Sequence, residues 1–404
     1  MQIIVADFIY TPEGFVSGHA VAFGSTIEAV DTLAVLQARY PNAPRITTPP
    51  NTILYPGFIN THVHLEFSAN KTTLKYGEFM PWLDSVITHR EDLVGACDNR
   101  MMYQACNTML ESGITSFGAI SSFGLELEVC QKSPQRVVFF NELIGSNAMM
   151  ADMLYGDFLE RLNASKAKAH SSRITPAIAI HSPYAVHPIL IQKALTLAKQ
   201  QHLPLSAHLL ESPAEREWLE EGAGAFKPFF EQYFKSSIPM SSVEEFIHAF
   251  DTYPTHFTHC TQATQRELDY LATKGHSIAH CPRSNRYLGC GRLAIESLKL
   301  PFSVATDGLS SNDSLNLFDE LRSAMMLHHQ EDMTTLANQL IESVTRHGAD
   351  ALHLNAGEIA VGKEADFTLV TLPDTPERPE ELALWTILHT QSASGVYIAG
   401  EQYV

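Results

Sequence analysis

PGFINTHVHLEF, residues 56–67, is an apolar run that ends in His-Val-His, with a carboxylate at Glu66 two positions further on. Side chains alternate between two faces along extended backbone, so His62 and His64 point the same way. Two imidazoles on one face can hold one divalent cation, and neutral imidazole nitrogen suits zinc or iron. A His-x-His pair alone is weak evidence, so its meaning depends on what stands at comparable places elsewhere.

Eight short apolar runs alternate with longer amphipathic stretches: LYPGFINTH (54–62), ITSFGAIS (114–121), RVVFFNELIG (136–145), TPAIAIHS (175–182), LPLSAHL (203–209), HFTHC (256–260), HSIAHC (276–281) and FSVATD (302–307). Between them lie helical patterns such as 98–112, with Met101, Ala105, Met109 and Leu110 on one face, and 188–200, with Ile191, Ala194, Leu195 and Ala198. This alternation, over roughly 250 residues, predicts an α/β fold, a (β/α)8 TIM-type barrel. His62 and His64 end the first run, His181 the fourth, His208 the fifth, His259 the sixth, His280 the seventh and Asp307 the eighth. The C-terminal strand ends of such a barrel form its active-site face. His208 and Asp307 are then the natural third and fourth ligands of a metal held by His62 and His64.

The flanks differ. Residues 1–55 hold short strand-like pieces separated by turn residues, and residues 356–404 repeat that texture in ADFTLVTL and ASGVYIAGEQYV. The expected organisation is a small β-sandwich domain built from both termini (1–55 and 356–404) around a barrel at 56–355. Among 404 residues, 27 Lys and Arg against 45 Asp and Glu leave a net charge of −18. Nucleic acid binding needs a basic face, so a small molecule is the expected partner. No apolar stretch approaches the ~20 residues that span a bilayer, and MQIIVADFIYTPEG lacks the basic start of a signal peptide. The six cysteines form no C-x-x-C pair and read as free thiols of a reducing cytoplasm. Monomer and homodimer both remain open. His89 and the pair His328–His329 lack partner spacing and are expected at the surface.

PGFINTHVH, HSPYAVHP, HLLES, THC, HCPRSN and ATDGLSSND, in that order, resemble the amidohydrolase superfamily. Within it they resemble the purine-type deaminases, which include S-adenosylhomocysteine and methylthioadenosine deaminases. The resemblance covers nearly the whole chain. THVHLEFSANKTTLKYGEF followed by WLDSV is most similar to the aminodeoxyfutalosine deaminases, which act in the futalosine route to menaquinone. HCPRSN replaces a more common His-Asn-Pro, and RYLGCG a Lys-Leu-x-Ser-Gly type of loop; these departures bear on substrate rather than on chemistry.

The resemblance implies hydrolytic loss of ammonia from 6-amino-6-deoxyfutalosine, giving futalosine. S-adenosylhomocysteine, methylthioadenosine or adenosine are alternative substrates, and a free base or triazine-like ring is a further one. It implies a metal set of His62, His64, His208 and Asp307. Dinuclear members carry a bridging carboxylated lysine, and neither RVVFFNELIG nor TPAIAIHS contains a lysine, so one zinc or iron ion is expected. It also implies that Glu211 shuttles a proton from water to the substrate ring nitrogen, that His259 orients the attacking hydroxide and that Asp307 serves as a second base. By the same analogy His181 and Ser311 contact the nucleoside. Glu215 and Glu217 read as surface residues of the following segment, while His280 has no assigned role beyond fixing its neighbours.

Other substrate contacts come from position alone. Trp82 stands in a segment after the first strand, where it can stack on a base or pack on the barrel. Glu66 can turn into the pocket and bind a hydroxyl or amine. The benzoate-type carboxylate of aminodeoxyfutalosine wants a cation; Arg136 begins the third strand at the wrong barrel end, which leaves Arg283 and Arg286.

Overall fold

The computed structural model describes residues 1–69 and 73–404; residues 70–72, inside the THVHLEFSANKTTLKYGEF segment, lie outside the described residues. Eight strands form one sheet in strictly sequential order: β1 Phe58–Val63, β2 Ile114–Ser121, β3 Arg136–Leu143, β4 Ile174–Ile180, β5 Leu205–Leu209, β6 His256–His259, β7 Ser277–His280 and β8 Phe302–Val304. Neighbours from β3 to β8 pair in parallel. Past the end of β8, the Asp307 N–H donates to the His62 carbonyl at 3.1 Å, which brings the last strand end to the first. The fold is the expected (β/α)8 barrel. Residues of β2 are buried without exception, and those of β3 nearly so, as strands covered on both faces require.

The first run is two strands, not one. Thr52–Pro56 belongs to another sheet, and β1 starts after Gly57. A Cβ on Gly57 would sit 2.0 Å from Thr115 Oγ1, so only glycine allows the chain to pass there. The helix Pro188–Gln201 buries Leu190, Ile191, Ala194, Leu195 and Ala198, the expected face plus one residue. Proline opens it, where no backbone donor is needed. In Asn99–Glu111 the buried face carries Met102, Ala105, Cys106, Met109 and Leu110, and Met101 is exposed. The expectation was one residue out of phase there, since adjacent methionines offer either register.

Both chain ends build two further sheets. One has four strands, ordered Ile27–Thr32, His19–Phe23, Gln2–Val5 and Arg45–Thr47. The other has six, ordered Glu401–Gln402, Gly395–Ile398, Phe367–Thr371, Thr52–Pro56, Phe8–Thr11 and Gly14–Ser17. Ile4, Val21 and Phe23 of the first share a core with Ile9, Leu54 and Phe367 of the second. This is a sandwich, and Phe23 meets Phe367 edge-on at 5.1 Å.

The described residues fall into two compact units, residues 1–61, 106–117 and 316–404 in one, and residues 62–105 and 118–315 in the other. Every site residue discussed below belongs to the second. Among the described residues no helix is long and apolar enough to cross a membrane.

Candidate metal and catalytic site

His62 lies inside β1, His64 just past it, His208 within β5, and His259 and His280 end β6 and β7. His181 follows β4 by one residue, and Asp307 follows β8 by three. Three residues at these ends carry strain: His259, Cys260 and Asp307 have φ of 73°, 52° and 58°, in the left-handed region that side chains avoid. Such strain persists where the surroundings fix it, and functional sites are where it concentrates.

The Nε2 atoms of His62 and His64 are 3.2 Å apart, and they lie 3.6 and 3.5 Å from Asp307 Oδ1. The ring of His208 packs 4.8 Å from that of His62. Its Nδ1 is 2.6 Å from the His181 carbonyl, which can only accept, so Nε2 carries the free lone pair. Burial holds the His208 imidazole well below its usual pKa, with His62 and His181 adding to the effect. Burial and His62 likewise push His64 down to about 4. Burial alone would raise the Asp307 carboxyl, but His62, His64 and His259 hold it well below the usual carboxylate range.

This donor set passes the test for a divalent cation. Ligating atoms of His62, His64 and Asp307 all lie within 4.8 Å of one another, and so do those of His62, His208 and His259. Neutral rings with converging lone pairs and an ionised carboxylate are what a cation of borderline softness binds. Thr258 Oγ1 stands 3.2 Å from His62 Nδ1, and Asp307 Oδ2 accepts from Ser284 and Ser311 at 2.7 and 2.8 Å. Such outer partners orient ligands toward an ion.

Glu211 stands opposite, with Oε1 3.5 Å from His259 Nε2. Its side chain makes no hydrogen bond among the described residues, and burial, then Asp307 and Glu215, push its carboxyl well above the usual range. A carboxyl pushed up beside one held down is the pattern that separates acid from base roles. His259 Nδ1 lies 2.8 Å from Asn285 Oδ1, an acceptor, which leaves Nε2 unprotonated toward Glu211.

The sequence profile of the amidohydrolase family matches residues 53–402. The chain belongs to the amidohydrolase family. It is 47% identical over 405 residues to the aminodeoxyfutalosine deaminase of a Nitratiruptor species, covering 100% of both chains. It is 34% identical to an adenosine deaminase of Helicobacter pylori, over 96% of this chain and 95% of that one. The crystal structure of Helicobacter pylori aminofutalosine deaminase in complex with methylthio-coformycin superposes with a TM-score of 0.94 at 31% identity, covering 100% of both chains.

In this amidohydrolase His64, His181, His208, Glu211, His259 and Asp307 line a cavity of about 240 Å³. Its other walls include Phe79, Trp82, Tyr184 and Ser311. Trp82 sits near the start of the helix Phe79–Ala96 and donates from Nε1 to the Ser310 carbonyl at 2.8 Å, so its ring both packs and faces the cavity. Ser311 lines the cavity while its hydroxyl is engaged by Asp307. His181 is held by Glu142, whose Oε1 is 2.6 Å from His181 Nδ1.

Several expectations need correction. Glu66 does not line the cavity: its carboxylate accepts from the N–H groups of Ser122, Phe123 and Leu125 at 2.8 to 3.1 Å and ties down the loop after β2. Arg283 pairs with Asp313, Arg286 is exposed, and neither lines the cavity. Both sit on the helix Pro282–Tyr287. Glu215 is buried, not at the surface; it accepts from the Leu210 and Glu211 N–H groups at 3.0 and 2.7 Å and so holds the Glu211 loop. His328 is also buried. His280 is buried at the end of β7 and does not line the cavity.

Four residues escaped the sequence reading: Glu142, Ser284, Asn285 and Arg90. Glu142 had a signal, a carboxylate near the end of the apolar strand β3. Ser284 and Asn285 stood in HCPRSN, where the two arginines drew the attention. Arg90, which lines the cavity, had none, because a charged residue on an amphipathic helix reads as solvated.

Proposed function

We propose that this chain removes the 6-amino group of an adenine nucleoside by hydrolysis, with 6-amino-6-deoxyfutalosine as its substrate. The observation that carries this reading is the buried Glu211 carboxyl, its pKa pushed up by burial, beside His259 and Asp307 in the histidine-lined cavity. The full-length likeness to an aminodeoxyfutalosine deaminase supports the choice of substrate.

His62, His64, His208 and Asp307 are the proposed ligands of one zinc or iron ion. When bound, such an ion lowers the pKa of water from about 15.7 toward about 7 and so supplies a nucleophile at neutral pH. Glu211, as a carboxylate, would take a proton from the attacking water and deliver it to the purine ring nitrogen, which makes the amine-bearing carbon electrophilic. Asp307, held ionised, accepts a hydrogen bond from the attacking oxygen and later passes a proton to the departing amine. His259, with Nδ1–H fixed by Asn285, orients the attacking oxygen through Nε2. His181, braced by Glu142, contacts the ribose, and Trp82 and Ser311 complete the wall around the base.

The test is an ammonia-release screen of the purified protein against aminodeoxyfutalosine, methylthioadenosine, S-adenosylhomocysteine, adenosine, guanine and cytosine. Conversion of the 6-aminopurine ring is also followed by its absorbance change. Aminodeoxyfutalosine is expected to give the highest kcat/KM. Absence of ammonia from every adenine nucleoside refutes the reading. Preference for adenosine would favour the second one, supported by the 34% identity to an adenosine deaminase.

A further inference from the structure

Glu211 sits on a turn that its own residues disfavour. Strand β5 ends at Leu209, and the buried Leu210 that follows has φ of 49°, in the left-handed region that side chains avoid. Such a turn persists where its surroundings fix it. The aim of the Glu211 side chain depends on that turn, because its carboxyl makes no hydrogen bond of its own among the described residues.

One fixing group comes from the next helix, Pro213–Glu221. Ser212 caps it, its Oγ accepting from the Glu215 N–H at 3.1 Å. A Ser or Thr followed three residues later by Glu ordinarily folds the glutamate back onto the N–H of the capping residue. Glu245 and Glu267 do this in the helices Val243–Ala249 and Gln265–Thr273, at 2.8 and 2.7 Å; Glu245 is exposed and Glu267 half-buried. Glu215 holds the same place in its helix and reaches further back. Its Oε1 accepts from the Leu210 N–H at 3.0 Å and its Oε2 from the Glu211 N–H at 2.7 Å, while the Ser212 N–H also faces it. It is 1% exposed. Burying a carboxyl is costly, and capping a helix does not require it.

Thr261, two residues past β6, holds the other side of the same turn. Its hydroxyl stands 2.6 Å from the Glu211 carbonyl and 2.8 Å from the Cys290 carbonyl, and the Gln262 N–H donates to the Leu210 carbonyl at 3.0 Å. Glu211 is thus gripped at its N–H and at its C=O. From that fixed backbone its carboxyl lies within 4.8 Å of polar atoms of His259 and Asp307.

Resting on the deaminase reading above, we propose that Glu215 is a positioning residue for the proton transfer, aiming the shuttle Glu211 through its backbone, with Thr261 as its counterpart on the carbonyl side. Glu215 does not line the cavity and so acts only through Glu211. A shuttle must come within hydrogen-bond reach of both the attacking water and a ring nitrogen. A displacement of about 1 Å imposed from outside the site is enough to cost about 10²-fold in rate.

The test measures steady-state ammonia release from aminodeoxyfutalosine by the full-length, metal-loaded enzyme. Glu215→Gln keeps the volume but leaves one acceptor for two N–H groups, Glu215→Ala leaves none, and Thr261→Val removes the hydroxyl while keeping the shape. In Glu215→Gln kcat is expected to fall by about 10- to 100-fold, with KM and bound metal near those of wild type. Glu215→Ala should lose more, and Thr261→Val should show the same signature, which carries the test where a Glu215 variant fails to fold. In a Glu211→Gln background, Glu215→Gln is expected to cost nothing further, because nothing is left to aim. Wild-type kcat in Glu215→Gln and Thr261→Val, a loss expressed in KM or in released metal, or a full additional loss in the Glu211→Gln background overturns the assignment while leaving the deaminase reading intact. A wild-type enzyme that releases no ammonia from any adenine nucleoside overturns both.

Discussion

Glu211→Gln separates catalysis from stability more cleanly than any other change in this site. The substitution keeps the volume of a side chain that is only 7% exposed. It breaks no hydrogen bond among the described residues, because the Glu211 carboxyl makes none; His259 Nε2 lies 3.5 Å from it. It also removes a titratable group whose ionisation is opposed by burial, Asp307 and Glu215. The fold therefore loses nothing, and thermal stability should be unchanged or higher. The four proposed ligands are untouched, so bound metal should stay near that of wild type. What disappears is the proton carrier. Loss of a general acid–base group costs about 10² to 10⁴ in rate, or roughly 3 to 5.5 kcal/mol of transition-state stabilisation. The assay is steady-state ammonia release at saturating aminodeoxyfutalosine, with a melting curve and metal analysis on the same preparation. A variant that retains more than a tenth of wild-type kcat with its metal in place would refute the shuttle role.

Other expectations follow from single contacts. Burial raises Glu215 to about 7, above the roughly 4.3 of a free glutamate, so the folded state holds a proton the unfolded chain has lost; that contribution is complete below about pH 4.3 and fades as pH rises through 7. Glu215→Gln should flatten the fall in melting temperature across this window, and an unaltered pH profile would count against it. Removing metal with a chelator should abolish activity and lower the melting temperature, with zinc or iron(II) restoring both; full activity after exhaustive chelation would dismiss the proposed ligand set. Gly57→Ala places a methyl group against the Thr115 side chain and should cost about 1 to 3 kcal/mol, read by denaturant unfolding.

Much of the site was legible because its donors sit where strands end. Period-two alternation places His62 and His64 on one face, and the apolar runs announce where each strand stops, so His181, His208, His259 and Asp307 could be assigned to one rim. The misreadings share a cause. Glu66 is two residues past His64, on the side that alternation predicts, but the chain has already left β1 and three loop N–H groups capture its carboxylate. Arg283 was a sensible cation for a carboxylate until Asp313, distant by thirty positions, took it.

The chain's own order of residues determined the barrel, its strand count and the set of imidazoles and carboxylates on its rim, because those follow from local periodicity and from backbone geometry repeated at each strand. Tertiary structure alone decided that Glu142 braces His181, that Asn285 sets the tautomer of His259, that Glu215 is buried beneath the Glu211 loop, and that Arg90 is left without a partner among the described residues. Those outcomes depend on which polar groups from remote segments meet in a space closed to water. There an unsatisfied charge or donor costs more than local preference can repay, so the partner is chosen by the packed surroundings rather than by neighbours along the chain.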